Sequence, residues 1–121
     1  MLSIIISLGL NLITDPSTFE VDKMTVSWYG PGFHGRPTAS GEPFDKNDPT
    51  MAAHKSLPFG TKIVLRNPET GGLQEVEVVD RGPFVKGRDL DVSEAAARKL
   101  GMTDIGVAKL QARVVYRPPP D

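Results

Sequence analysis

From Met24 onward, apolar and polar positions alternate in short runs, the period-two signature of half-buried strands. Residues 24–29 (MTVSWY) form the first such run. Residues 30–50 break it. GPGFHGRPTASGEPFDKNDPT holds Gly and Pro too often for a helix and reads as a long loop, of the kind that carries function or is disordered. Residues 50–53 suit a short strand, and LPFG at 57–60 a turn. Residues 62–67 (KIVLRN) and Leu73–Asp80 (LQEVEVVD) read as strands joined by the turn sequence NPETGG, so they are expected to pair as a hairpin. Val76 and Val78 then face one side, Glu75 and Glu77 the other. A second Gly/Pro loop, RGPFVKGR, occupies 81–88, and Leu90–Val92 is a short strand. Ser93 has the chemistry of a helix N-cap, Glu94 suits the first turn, three alanines follow, Lys99 suits the last turn and Gly101 a C′ position. Residues 106–116 (GVAKLQARVVY) alternate again and close the domain. RPPPD is a tail whose prolines cannot join a ladder. Five or six short strands and one small helix predict an all-β barrel or sandwich. A small barrel is favoured, because short strands bury best by closing on themselves.

The first thirteen residues, MLSIIISLGLNLI, are uncharged and largely apolar. They are too short to span a bilayer, which takes about 20 residues. They have the length of a signal-peptide core, yet no Lys or Arg precedes them and no small-x-small site follows cleanly. A degenerate export signal, the edge of a longer chain and an N-terminal strand all stay open. The expected division is a signal-like or linker segment at 1–23, a domain at 24–117 and a Pro-rich tail at 118–121. The 121 residues suit one domain. Fourteen Lys and Arg against 15 Asp and Glu leave no basic excess for a nucleic-acid backbone. The absence of cysteine excludes disulfides, thiolate catalysis, Cys-type zinc sites and a lipid-modified cysteine anchor.

Gly30-Pro31-Gly32-Phe33-His34-Gly35 matches GxGxxG, but Pro37 and Gly41 forbid the helix whose N-terminus would hold a pyrophosphate. A tight glycine loop is the expectation. His34 and His54 are the two histidines and no i,i+4 His pair exists, so no metal site is expected. No GxSxG elbow marks a serine nucleophile. Three carboxylates stand out. Glu42 lies in the first loop, Asp80 ends an apolar strand and Asp91 precedes the helix. A carboxyl at the end of a buried strand is partly desolvated, which raises its pKa and suits it to protonate a leaving oxygen. The plainer alternatives are a pair with Arg81 or a bonded turn carboxylate for Asp80, a solvated loop acid for Glu42, and ordering of the helix start for Asp91. Trp28, Tyr29, Phe33, Phe44 and Phe84 flank the two loops and suit sugar stacking or an ordinary core equally.

Several blocks in order carry a family resemblance. Ser27-Trp28-Tyr29-Gly30, the run GRPTASGE at 35–42, TMAAHKSLPFGT at 50–61, VDRGPF at 79–84 and LDVSEAAA at 90–97 are together similar to the rare lipoprotein A (RlpA) family. The resemblance spans about residues 25–115 and implies a six-stranded double-psi β-barrel. It implies lytic transglycosylase action on peptidoglycan, at the β-1,4 bond between N-acetylmuramic acid and N-acetylglucosamine, with a preference for glycan strands stripped of stem peptides. The family's acid in ASGE maps to Glu42, its histidine in AAHK to His54 and its aspartate in DRGPF to Asp80. Sugar contacts are expected from Trp28, Tyr29, Phe33, Ser40, Arg81 and Phe84. Asp80 is expected to serve as acid and then base, with His54 orienting it or binding sugar and Glu42 stabilising positive charge or sharing the proton work. No cofactor is expected, and the implied partner is peptidoglycan glycan acted on by a monomer in the periplasm or outside the cell. Four departures stand against the family pattern: no lipobox cysteine, no C-terminal peptidoglycan-binding repeat, one extra residue between Glu42 and Thr50, and Asp89 in place of an apolar residue, which predicts a less buried strand at Leu90. The rival from another class is a non-catalytic, expansin-like module that binds or loosens wall glycan; an ordinary hydrolase is a third option.

Overall fold

The computed structural model describes residues 22–119. The expectations for residues 1–21 and for the last two residues lie outside that range. The chain forms strands β1 (Asp22–Trp28), β2 (Met51–His54), β3 (Lys62–Arg66), β4 (Leu73–Asp80) and β5 (Leu90–Val92), helix α1 (Glu94–Lys99), and strand β6 (Val107–Tyr116). The six strands close into a barrel in the order β1-β5-β2-β4-β3-β6. β1 runs parallel to β5 and β2 parallel to β4, whereas the other neighbours are antiparallel. The predicted hairpin is β3–β4, in a register that sets Ile63 opposite Val76. β1 opens earlier than the pattern predicts. Asp22 and Lys23, read from sequence as the end of a linker, pair with Ala112 and Gln111 of the long strand β6.

Alternation along the strands divides the apolar residues into two sets. Val26, Ala52, Ile63, Leu65, Val76, Val78, Leu90, Val92 and Leu110 fill the barrel core, which α1 extends through Ala96, Ala97 and Leu100. Ala53, Met51 and Val79, one step out of phase, form a second cluster with Tyr29 and Phe44 on the barrel's outer face. That cluster anchors the 30–50 loop. The loop doubles back through a Pro37–Pro43 bridge, and Gly35 N–H donates to Phe44 carbonyl at 2.7 Å. Gly35 has φ +85, a conformation that glycine adopts without steric cost, so the GxGxxG match is a tight turn. Asp89 does not loosen the next strand. Its backbone N–H donates to Thr25 carbonyl, its carboxylate accepts from Thr25 N–H at 2.8 Å, and Leu90 is fully buried.

The helix is short but capped at both ends. Ser93 Oγ accepts from Ala96 N–H, the predicted N-cap bond. Gly101, at φ +67, donates to Arg98 carbonyl, and Met102 donates to Ala97 carbonyl, which is the Schellman closure. Leu100 carbonyl accepts from Asn67 Nδ2 and Thr70 Oγ1, so the β3–β4 turn holds the helix end.

Candidate active site

The parallel pairs β1–β5 and β2–β4, joined by β2–β5, align four residues across neighbouring strands. Asp80 lies opposite Ala53, Ala53 opposite Asp91, and Asp91 opposite Ser27. A register shift between Ala52 and Ala53 puts Asp80, rather than Val79, opposite Ala53. Both carboxylates therefore reach the same end of the barrel, on either side of a small side chain. They line one cavity of about 450 Å³ with Trp28, Tyr29, Phe33, Arg81 and Phe84.

Asp80 is half-buried and held by three donors. Ala39 N–H and Arg81 N–H both donate to Oδ1, at 2.8 and 2.9 Å, and Tyr29 O–H donates to Oδ2 at 2.7 Å. The 30–50 loop supplies the first of these because Ser40 N–H pins the loop to Val79 carbonyl at 3.1 Å. Oδ1 is doubly occupied and Oδ2 has one donor, so Oδ2 keeps a position for a proton or a substrate hydroxyl. Burial and the neighbouring Asp80 push the Tyr29 phenol well above its ordinary pKa, so it stays a donor. No side-chain ion pair links Asp80 to Arg81 among the described residues. Arg81 instead spends Nη1 on the carbonyls of His54 and Leu57, with its guanidinium 4.1 Å from the Phe59 ring centroid. Asp91 does not order the helix start, a task Ser93 performs. It accepts a hydrogen bond from Ser27 Oγ.

The other sequence candidates fall at varied distances from this centre. His54 ends β2, and its Nδ1 accepts from Ser56 N–H and Leu57 N–H at 3.1 and 3.0 Å. Burial, then the Arg81 charge, lowers its pKa and keeps it neutral, with the proton on Nε2. No hydrogen bond joins its ring to Asp80, and it does not line the cavity. Glu42 is exposed on a tight turn whose backbone Thr38 ties at both N–H and Oγ1, and its carboxylate makes no hydrogen bond among the described residues. Ser40 is exposed, and its Oγ sits 3.0 Å from Thr38 Oγ1 rather than in the cavity. The aromatics divide. Phe44 is 3% exposed and stacks on Tyr29 at 4.1 Å, so it is core. Phe33 and Phe84, at 44% and 79% exposure, flank the cavity as exposed apolar surface, with the Arg36 guanidinium 5.5 Å from the Phe33 ring centroid. The sequence marks Asp91 only as one of three candidate carboxylates, with ordering of the helix start favoured, and does not single out Arg88; both line the cavity. The signal for Asp91 was its place in a strand of only three residues between two barrel neighbours.

A closed six-stranded mixed barrel with loop-borne polar groups at the end of two parallel pairs defines a double-psi β-barrel domain. The chain belongs to the family described as lytic transglycolase, which it matches over residues 22–112, and its barrel is of the RlpA type. It is 53% identical over 89 residues to the Aquifex aeolicus "Probable endolytic peptidoglycan transglycosylase RlpA", covering 74% of this chain and 39% of that protein. It is 40% identical over 104 residues to the Vibrio cholerae "Endolytic peptidoglycan transglycosylase RlpA", covering 86% of this chain and 39% of that protein. The chain thus spans about two-fifths of the length of these relatives. Among solved structures, Clavibacter michiganensis expansin superposes with a TM-score of 0.62 at 22% identity, over 84% of this chain and 53% of that one. The Streptomyces papain inhibitor superposes with a TM-score of 0.62 at 21% identity, over 80% and 96%. Both show the shared fold.

Proposed function

We propose that this domain is an endolytic peptidoglycan transglycosylase of the cell envelope, acting on glycan strands that lack stem peptides. The observation that carries the proposal is Asp80. It is half-buried on the wall of an open cavity, held in place by backbone N–H groups on one oxygen and by a protonated tyrosine on the other. The names of the relatives and the exposed aromatic rings beside the cavity support a polysaccharide substrate.

Glycoside hydrolysis uses two carboxylates and a water. Transglycosylation of this kind uses the substrate's own hydroxyl. Asp80 Oδ2 carries a proton to the oxygen that leaves C1 of N-acetylmuramic acid, and the C1–O bond breaks. The 6-hydroxyl of the same ring attacks C1 and returns its proton to Asp80. The products are a free 4-hydroxyl on one fragment and a 1,6-anhydro ring on the other, with no water consumed. Tyr29 positions Asp80 throughout. Asp91, with Ser27 behind it, and Glu42, from the 38–42 turn, are the carboxylates available to face positive charge developing at C1. His54 acts through Arg81, since its carbonyl and the loop it caps fix that side chain.

The test is mass spectrometry of soluble products from peptidoglycan stripped of its stem peptides. Fragments ending in 1,6-anhydro-N-acetylmuramic acid are expected. Reducing ends would make the domain a hydrolase. Co-sedimentation without fragments would make it the non-catalytic, expansin-like module.

A further inference from the structure

Of the charged groups on the cavity wall, three are engaged. Asp80 takes three donors, Asp91 takes the Ser27 hydroxyl, and Arg81 gives Nη1 to two carbonyls and its face to Phe59. Arg88 is the exception. It is half-buried, and no hydrogen bond or ion pair engages its side chain among the described residues. The adjacent Asp89 is turned away, accepting from Thr25 N–H. Arg88 also lines a second, adjoining cavity of about 290 Å³, which shares Trp28 and Gly30 with the first. It therefore stands where a chain crossing both cavities passes.

The Arg88 guanidinium faces open cavity space with its donors unspent, and a guanidinium presents a planar fork that matches a carboxylate at two points. Without Arg88 the wall sets two aspartates against one arginine, Arg81, whose Nη1 is already spent. We propose that Arg88 binds a carboxylate of the polysaccharide, namely the lactyl carboxylate of a muramic acid ring, and so selects strands without stem peptides. The assignment rests on the wall-glycan activity proposed above. Its chemistry is direct. With a stem peptide attached, the lactyl carbonyl is a neutral amide; with the peptide removed, it is an anion. An arginine at the junction of the two cavities distinguishes these states by charge at a muramic acid ring of the bound strand.

The chain's single tryptophan, Trp28, lines both cavities and reports occupancy by fluorescence. The full chain carrying Asp80→Asn, which blocks turnover, is titrated with two soluble glycan tetrasaccharides, one with lactyl carboxylates and one with lactyl carboxamides. The carboxylate glycan is expected to bind about tenfold to a hundredfold tighter, the range of a charge-assisted contact. Adding Arg88→Gln brings that ratio to about one, and Arg88→Lys keeps part of it because the charge remains without the fork. A ratio unchanged by Arg88→Gln, or absent in the parent, overturns the assignment while leaving the transglycosylase proposal intact. Equal loss of both glycans in Arg88→Gln also overturns it, in favour of packing. Binding of neither glycan to the parent overturns both. A clear carboxylate preference in a chain that yields no anhydro product supports the Arg88 site and sinks the activity.

Discussion

Tyr29 serves packing and chemistry with one side chain. Its ring stacks on Phe44 and meets Phe33 edge-on at 5.6 Å, while its hydroxyl ends on Asp80. The same economy holds at His54, whose neutral ring closes the 55–57 turn. Its lowered pKa fixes a sign for pH. The fold favours the neutral imidazole, so the contribution is full above the ordinary histidine pKa of about 6.5 and is lost as pH falls through the lower folded value. Protonating Nδ1 also sets an N–H against the two backbone N–H groups it serves. Urea unfolding at pH 7.5 and pH 5 should show the gap between wild type and His54→Ala shrinking at the lower pH; a constant or widening gap contradicts this. Thr61 gives a second residue-scale expectation. Its Oγ1 is buried and makes no hydrogen bond among the described residues. Thr61→Val removes an unpaired hydroxyl at nearly the same shape and should leave stability unchanged or raise it by up to about 1 kcal/mol, whereas a loss above that would mean the hydroxyl is satisfied. At this scale Ser93 was legible because an N-cap is a local rule. Asp91 was not, because its partner Ser27 is 64 residues away.

The elements were largely readable. The β3–β4 hairpin, the short strand Leu90–Val92 and the helix follow from alternation, turn residues and caps, all of which act within a few residues. The start of β1 was missed because Asp22 and Lys23 are polar, and only the length of β6 gives them a partner. The same long-range logic makes Asn67 more than a turn residue. It is 2% exposed, and its Nδ2 donates to Leu100 carbonyl at 2.8 Å. Its Oδ1 accepts from Glu69 N–H. Asn67→Ala frays both the turn and the helix end and should cost about 1–3 kcal/mol in chemical denaturation, while a change below about 0.5 kcal/mol would show that Thr70 alone holds the carbonyl.

At the scale of the whole molecule, closure order and site geometry were beyond periodicity. Alternation says that a strand has two faces but not which strand lies beside it. The family resemblance implied a six-stranded double-psi barrel, and the order β1-β5-β2-β4-β3-β6 is visible only in the structure. The row from Asp80 through Ala53 and Asp91 to Ser27 exists because two parallel pairs meet, and a one-residue register shift at Ala52/Ala53 sets its phase. The resemblance named Glu42, His54 and Asp80 together. Only Asp80 lines the cavity, with Asp91 as the second carboxylate there. The central claim is therefore that Asp80 moves the proton. The most direct measurement compares turnover of wild type, Asp80→Asn and Glu42→Gln on stripped glycan strands, with Trp28 fluorescence reporting binding. Asp80→Asn should lose about 10²–10⁴-fold in rate, the range of positioned proton transfer, while still binding glycan and melting as the wild type does. Near-full activity in Asp80→Asn, with activity abolished in Glu42→Gln, would contradict the account and make Glu42 the acid.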